Sequence, residues 1–413
     1  MIKFPLRKKR IILRVTPFNR LSFPVLLNAL ENSGLDQHFE IIIRYKPLTE
    51  SPFQIIEKGD AVLFSFMTPH LPEIHEEISQ LKESGAWIAG GGPHITGEQE
   101  LALETGFDVL FIGPGEKNVV TFARDLLQNK LKKHTVYKST VNEDWSKYLP
   151  FSKYMTEVPP LEIMRGCFWN CTYCSTGRQE AAYRDMASIN TYLETMSERK
   201  LQRINYICPS SMEFGAARGR ALNLEKIGLL LEHTKSYDFK FIEYGIFPSE
   251  IRPDTVTEEG MFMLKKYVSH KAITLGAQSG SDERLKNLKR AHTTEDIERA
   301  TAFANSAGFL ANLDFIIAYP DETPDERRVT TAFIKKMHKN YRIRAHLHHF
   351  FPLSGSTFAF RKPSFLLPGE KETLRLLKKG GIARDGWVDN EKQAIRYFQW
   401  LKENFPRYSS RYS

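Results

Sequence analysis

The sequence predicts an α/β protein in two parts. A doubly wound parallel sheet is expected over residues 1–137, and a partial (β/α)6 barrel over 161–352, followed by a small helical extension over 353–413. Three observations predict this. Strand-like and helix-like patterns alternate through both parts, which argues for parallel sheets. A chain of 413 residues is too long for one ordinary core. A polar, proline-containing stretch, STVNEDWSKYLPFSKYMTEVPP at 139–160, interrupts the alternation, so 138–160 reads as a linker.

In the first part, RIILRV (10–15) reads as a buried strand. SFPVLLNALENSG (22–34) reads as a helix, with Ser22 as N-cap, Pro24 in the first turn and Gly34 at the stop. FEIIIRY (39–45) and AVLFSFM (61–67) are strand-like. LPEIHEEISQLKESG (71–85) places Ile74, Ile78 and Leu81 on one helical face. WIAGGG (87–92) is a strand running into glycines, and FDVLFIG (107–113) is another strand. The helix over 115–129 buries Val119, Phe122, Ala123 and Leu126. Ligands of such sheets sit beyond the carboxyl ends of the strands, here SFMTPH (65–70), GGGPH (90–94) and IGPGE (112–116).

From 161 the alternation resumes. Strands are expected at 161–165, 203–208, 239–246, 272–277, 311–318 and 343–350, with helices at 188–200, 223–236, 257–268, 294–307 and 324–339. Six such units suit an open barrel. Two helix-like stretches, near 370–380 and 390–404, close the chain.

Composition narrows the class. Hydrophobic content of 41% and charged content of 26% fit a soluble globular protein. No apolar run approaches the roughly eighteen residues of a membrane span. The start, MIKFPLRKKRIILRV, reads as a first strand rather than a signal peptide. Four cysteines make no disulfide framework, so a cytoplasmic location is expected. The net charge of +9 permits an anionic partner, but it is spread along the chain. The basic clusters RKKR (7–10) and KLKKH (130–134) lack interleaved aromatics, so there is no strong nucleic-acid motif.

Three of the four cysteines, Cys167, Cys171 and Cys174, lie in LEIMRGCFWNCTYC (161–174), spaced C-x3-C-x2-C directly after the first barrel strand. Structural zinc takes four protein ligands, usually in paired knuckles. No second pair exists, and Cys208 stands in a Cys-Pro-Ser-Ser context. A cubane iron–sulfur cluster normally takes four cysteines. With three, one iron keeps an open position for a substrate or cofactor.

RGCFWNCTYCSTGR (165–178) resembles the cluster loop of the radical S-adenosylmethionine superfamily. The resemblance implies a 4Fe–4S cluster on Cys167, Cys171 and Cys174, with S-adenosylmethionine on the open iron. It implies cleavage to a 5′-deoxyadenosyl radical and a requirement for an external electron donor. Tyr173 matches the aromatic near the adenine. INYICPSSMEFG (204–215) resembles the second-strand end that contacts the methionine amine, which makes Pro209, Ser210 and Ser211 candidates, without the acidic residue often found there. ITLGAQSGSDERLKNLKRAHTTEDIERA (273–300) resembles the ribose-side motif, which nominates Gln278, Ser279 and Arg290. FIIAYPDETPDE (315–326) resembles the usual strand-turn, with Ala318 in place of the first glycine, and HHFFPLSGSTFA (348–359) resembles the closing strand.

GGGPHITGEQELALETGFDVLFIGPGE (90–116) resembles the cobalamin-binding domain that precedes the barrel in one class of that superfamily. Its candidates are Ser65, Met67, Thr68, Gly91, Gly92, Pro93, His94, Gly113, Gly115 and Glu116. Gly90, Gly91 and Gly92 would let backbone approach a large flat ring. Pro114 stands where the class often has glutamate. DQHFEI (36–41) has the Asp and His of a lower-ligand motif but no glycine, and it follows a helix. No histidine is therefore expected on the cobalt's lower face.

The combined expectation is a cobalamin-dependent radical methyltransferase acting on an unactivated carbon. No catalytic side chain is nominated. Tyr244, His346 and His348 are possible cavity residues, though each also suits core packing. Rival expectations are a non-methylating rearrangement, cyclisation or coupling, a methylthiotransferase, and a non-catalytic zinc scaffold. The methylthiotransferases carry a second three-cysteine cluster in their first domain, and residues 1–166 hold no cysteine. The substrate stays open among RNA, peptide, lipid precursor and small metabolite.

Overall fold

The computed structural model describes residues 7–48, 56–141, 145–178, 180–216, 222–384 and 386–413. Residues 1–6 of the first predicted domain and 142–144 of the predicted linker lie outside the described residues. The chain divides into two compact units, Met1–Pro159 with Leu353–Gly355, and Pro160–Pro352 with Ser356–Ser413.

The first unit is built on six parallel strands: β1 (Arg10–Arg14), β2 (Glu40–Arg44), β3 (Ala61–Ser65), β4 (Trp87–Gly91), β5 (Val109–Ile112) and β6 (Thr135–Lys138). Their order is β2-β1-β3-β4-β5-β6, so the sheet reverses direction of growth between β1 and β3. That reversal is where open α/β sheets hold ligands. The strands are near-continuous apolar runs because helices cover the sheet. Ile11, Leu13, Leu63, Ala89, Val109 and Phe111 share one core with Phe23, Leu27, Val119, Phe122 and Leu126 of the helices.

Several local expectations change. Ser22 is helical in backbone and makes no side-chain cap, while Gly34 does take the left-handed conformation (φ 70°) that ends the turn. Two short helices, Pro93–Gly97 and Gln99–Thr105, occupy a stretch in which no helix was expected, and β6 is an additional strand. Residues of the expected linker pack onto the first unit. Met155 is in its core, Ser152 Oγ donates to Glu31 at 2.6 Å, and Tyr154 Oη donates to Asp36 at 2.9 Å. Asp36, the acid of DQHFEI, is thereby held by Tyr154 and Lys153.

In the second unit, parallel strands β7 (Leu161–Glu162), β10 (Arg203–Ile207) and β11 (Phe241–Glu243) form one sheet, ordered β11-β10-β7. Strands β12 (Ala272–Gln278), β13 (Leu310–Ile317), β14 (Ile343–His349) and β15 (Ala383–Arg384) form a second. A parallel bridge between Ile251 and Leu275 links the two into an open six-unit barrel. The expected strand 161–165 is split: β8 (Met164–Arg165) leaves the barrel and pairs antiparallel with β9 (Ala182–Tyr183). The extension expected as helical also supplies β15, parallel to β14, between helices Pro368–Lys379 and Trp387–Asn404. Thr323 and Glu326, and Thr293 and Asp296, form reciprocal caps that start the two helices flanking β13.

Candidate functional site

The loop after β8 carries the three cysteines, and the fold holds that loop closed. Cys174 N–H donates to Cys171 O at 3.2 Å, a tight turn. Thr172 is fastened on both sides: its N–H donates to Leu288 O at 3.1 Å and its carbonyl accepts from Phe358 N–H at 3.0 Å. Gly177 lies so close to the loop that a Cβ there would stand 1.7 Å from Trp169 O.

Cys167, Cys171 and Cys174 are free thiols. All three line one cavity of about 290 Å³, together with Tyr173, Pro209 and Arg290. Burial pushes the Cys167 thiol up to about 11, and a coordinated metal would deprotonate it outright. No three His, Cys, Asp or Glu side chains among the described residues are gathered to hold a single metal ion. Three thiols lining one cavity suit a cubane cluster, which takes each thiolate on a separate iron, whereas structural zinc takes four ligands on one ion. Cys208 stands apart: it is fully buried, with its Sγ 3.6 Å from Met164 Sδ.

Arg290 ties the loop to the barrel. Its Nη1 donates to Cys171 Sγ at 3.6 Å and to Tyr173 Oη at 3.2 Å, and its Nη2 to Gly276 O at 2.8 Å. Gln278 sits at a bulge in β12, with a left-handed backbone (φ 69°) uncommon for a side-chain-bearing residue. A Cβ on Gly276 would meet Gln278 Nε2 at 3.0 Å and Arg290 Nη2 at 3.3 Å. Ser210 Oγ, Gln278 Oε1 and Arg290 Nε are buried and have no hydrogen-bond partner among the described residues. Such atoms are what a polar ligand satisfies. Ser211 and Ser279 are engaged locally: Ser211 Oγ donates to Glu250 O at 3.1 Å, and Ser279 Oγ accepts from Ser281 N–H at 3.2 Å.

The cavity also brings in residues that sequence reasoning missed: Trp169, Phe247, Pro248, Glu250 and Arg252. Four of them follow β11, which ends at Glu243, short of its expected end at 246. The charged run SEIRPD beyond that strand end was the available signal. Burial pushes the Glu250 carboxyl up to about 7, and Asp314 adds to the shift. Among the cavity residues considered from sequence, Tyr244 is core: it is fully buried, with its Oη donating to Ser211 O at 2.6 Å. His348 is exposed, and His346 stands beside Asp314.

In the first unit, Ser65 ends β3 and Met67 and Thr68 follow it, Gly91 ends β4 and Gly92, Pro93 and His94 follow it, and Gly113, Gly115 and Glu116 follow β5. Each of these glycines faces protein on the side where a side chain would stand. A Cβ on Gly90 would stand 2.6 Å from the Phe107 ring, on Gly91 3.4 Å from Phe111, and on Gly92 2.8 Å from Phe66 O. On Gly113 it would clash with Ser139 O, and on Gly115 with Leu26. Gly92 and Gly113 also have left-handed φ values of 94° and 76°.

His94 is fully enclosed, and burial lowers its pKa to about 3. Its Nδ1 lies 2.9 Å from Ser354 Oγ and 3.2 Å from Thr68 Oγ1, and its Nε2 has no hydrogen-bond partner among the described residues. Ser354 belongs to the Leu353–Gly355 segment of this unit. Thr68 and Glu116 are buried, whereas Met67 and Pro93 are exposed. At the β1/β3 reversal, exposed Phe18 stacks on His70 with ring centroids 4.2 Å apart. Backbone, Met67, Pro93 and Phe18 thus edge the strand ends, with half-buried His70 beside them.

The geometry agrees with comparisons to known proteins. Residues 161–334 match the model of the radical SAM superfamily, and residues 17–123 match that of the B12 binding domain. The fold resembles that of the radical S-adenosylmethionine methyltransferase TsrM from Kitasatospora setae, solved with cobalamin and a 4Fe–4S cluster bound. The TM-score is 0.63 at 15% identity, over 85% of this chain and 74% of that one. An uncharacterized protein of Methanocaldococcus jannaschii is 22% identical over 80% of this chain and 76% of its own length. The ribosomal protein uS12 methylthiotransferase of Clostridioides difficile is 26% identical, and the match spans 48% of this chain and only 43% of that relative. No helix among the described residues is long and apolar enough to cross a membrane.

Proposed function

We propose that this chain, which belongs to the radical S-adenosylmethionine superfamily and carries an N-terminal B12-binding domain, is a cobalamin-dependent methyltransferase acting on an unactivated carbon. When bound, the cluster supplies the electron that cleaves S-adenosylmethionine to a 5′-deoxyadenosyl radical, and cobalamin supplies the methyl carrier.

The chain's own residues position these groups. Cys167, Cys171 and Cys174 would hold the cluster, beside which S-adenosylmethionine would bind. Arg290 fixes the orientation of Tyr173 and the sulfur of Cys171 through a single guanidinium. Ser210, Gln278 and Arg290 offer their unpartnered buried atoms to the polar groups of S-adenosylmethionine, with Tyr173 and Pro209 as its apolar walls. Ser211 and Ser279 keep the strand ends in shape rather than contacting it. Ser65, Met67, Gly91, Gly92, Pro93, Gly113, Gly115 and Glu116 form the rim on which cobalamin rests. Thr68 and His94 support that rim from inside.

The observation that carries this reading is the placement of three free thiols, Tyr173 and Arg290 on one cavity in a chain that also has a B12-binding domain. The similarity to methylthiotransferases favours a second reading, transfer of a methylthio group. Against it, residues 1–166 contain no cysteine for a second cluster. The test is an absorbance spectrum of anaerobically reconstituted protein, desalted after hydroxocobalamin is added. Corrin bands near one per chain beside the iron–sulfur shoulder support methyl transfer, to be followed with methyl-labelled S-adenosylmethionine. Iron–sulfur absorbance with no retained corrin sinks it.

A further inference from the structure

We propose that Arg290 sets the reduction potential of the cluster by donating a charge-assisted hydrogen bond to the sulfur of Cys171, a task separate from its contact with S-adenosylmethionine. The inference rests on the cluster reading above and not on methyl transfer. Arg290 Nη1 stands 3.6 Å from Cys171 Sγ. Cys171 is the most enclosed of the three thiols, 5% exposed, and Arg290 is 7% exposed. The contact therefore lies away from bulk water, where a charge acts on its neighbour more strongly than at a surface.

The fold holds the guanidinium at that sulfur. Arg290 Nη2 donates to Gly276 O at 2.8 Å, and Nη1 donates also to Tyr173 Oη at 3.2 Å. Turning the planar fork away from Cys171 would break both of these bonds. The backbone agrees. Arg290 follows the helix Asp282–Asn287, and its N–H donates to Leu285 O at 3.0 Å. It stands between Lys289 and Ala291, whose φ values of 55° and 52° are left-handed. Such conformations are uncommon in side-chain-bearing residues, and they cluster where a site dictates the geometry. The same turn is fastened to the cysteine loop. Thr172 N–H donates to Leu288 O at 3.1 Å, and Cys171 Sγ lies 4.0 Å from Lys289 O.

The chemistry gives the direction. Reduction moves one electron from an external one-electron donor to the cluster and so adds one negative charge to it. A fixed cation and an N–H···S hydrogen bond both favour the more negative state, which raises the potential. Arg252 lines the same cavity and is also buried. It is engaged elsewhere: its Nη2 donates to Asp254 Oδ2 at 3.2 Å, and its guanidinium stacks on Trp169. Glu250, an acid on that cavity, opposes the arginines, but burial disfavours its charge. Of the two arginines, Arg290 is the one bonded to a ligand sulfur.

The test is a redox titration of the anaerobically reconstituted protein, without S-adenosylmethionine, followed by the electron paramagnetic resonance of the reduced cluster. At a fixed donor potential, Arg290→Gln is expected to lower the ratio of reduced to oxidised cluster about tenfold, a downward shift of about 59 mV for a one-electron couple. Arg290→Lys keeps the charge, and its ratio is expected to fall only about threefold. Iron and sulfide content identifies a variant that keeps no cluster, and Arg290→Met then serves in place of Arg290→Gln. A wild-type potential in Arg290→Gln overturns the proposal, whatever happens to S-adenosylmethionine affinity, since Arg290 would then serve that molecule alone. An equal fall in Arg290→Gln and Arg290→Lys also overturns it, since loop geometry rather than charge would then be responsible. A protein that retains no corrin counts only against the methyltransferase reading, because the cluster's potential is read all the same.

Discussion

The guanidinium of Arg252 lies 3.4 Å over the indole ring of Trp169, midway between Cys167 and Cys171 in sequence. The same indole donates through Nε1 to Glu213 Oε2 at 2.8 Å. One side chain thus anchors the cysteine loop to β11's trailing segment and to the turn after β10.

Arg252→Leu removes the stacking charge and keeps the hydrogen bond from Trp169 to Glu213. A desolvated cation–π contact is worth about 2 kcal/mol. The variant is expected to lose iron and sulfide several-fold faster than wild type when challenged with a chelator. Equal rates of loss would show that the contact does not hold the loop.

Gly276→Ala places a Cβ 3.0 Å from Gln278 Nε2 and 3.3 Å from Arg290 Nη2. Both groups must shift, and overpacking of this kind costs about 1–3 kcal/mol. Affinity for S-adenosylmethionine is expected to fall about tenfold or more, with iron content unchanged. Calorimetric titration of the reconstituted protein reads this directly, and unchanged affinity would remove Gln278 and Arg290 from the binding site.

Ala318 takes a left-handed backbone with φ 63°, at the position where the resembling motif has glycine. It is held there by Glu322, whose Oε2 accepts from Ala318 N–H at 2.6 Å. A side chain in this conformation costs roughly 1–2 kcal/mol. Ala318→Gly is therefore expected to raise stability by about 1 kcal/mol, less what the extra unfolded-state freedom removes. A lower thermal midpoint would contradict this.

His94 is buried neutral, with a pKa of about 3. The unfolded value is near 6.5. A depressed histidine stabilises the fold fully above the unfolded pKa, and the contribution is lost as pH falls from 6.5 toward 3. The slope is about 1.4 kcal/mol per pH unit. In His94→Gln that slope disappears. The difference in opening free energy between wild type and variant, from hydrogen exchange of Trp87–Gly91, is expected to shrink as pH falls from 6.5 to 4.5. A difference that stays constant would mean that His94 is not the group that titrates.

Local patterns carried much of this protein in the sequence. Alternating apolar runs of strand length, each followed by a helix-length amphipathic run, determined two parallel α/β units, because burial on both faces leaves such strands no other arrangement. The C-x3-C-x2-C spacing and its flanking glycines likewise determined a metal-binding loop, since three thiols that close in sequence are also close in space.

The tertiary structure decided what depends on chain segments far apart. Glu250, Arg252 and Trp169 share a cavity with Cys174 only because β11 ends early and its trailing segment bends toward the loop. That Gly90 and Gly92 leave no room for a side chain against the Phe107 ring and the Phe66 backbone also depends on segments outside their own stretch. Ser354 meets His94 across 260 residues of sequence, a distance over which no periodicity carries information. Asp314 and His346 became a pair through strand register. Register is set by the packing of whole sheet faces, which no single stretch of sequence reveals.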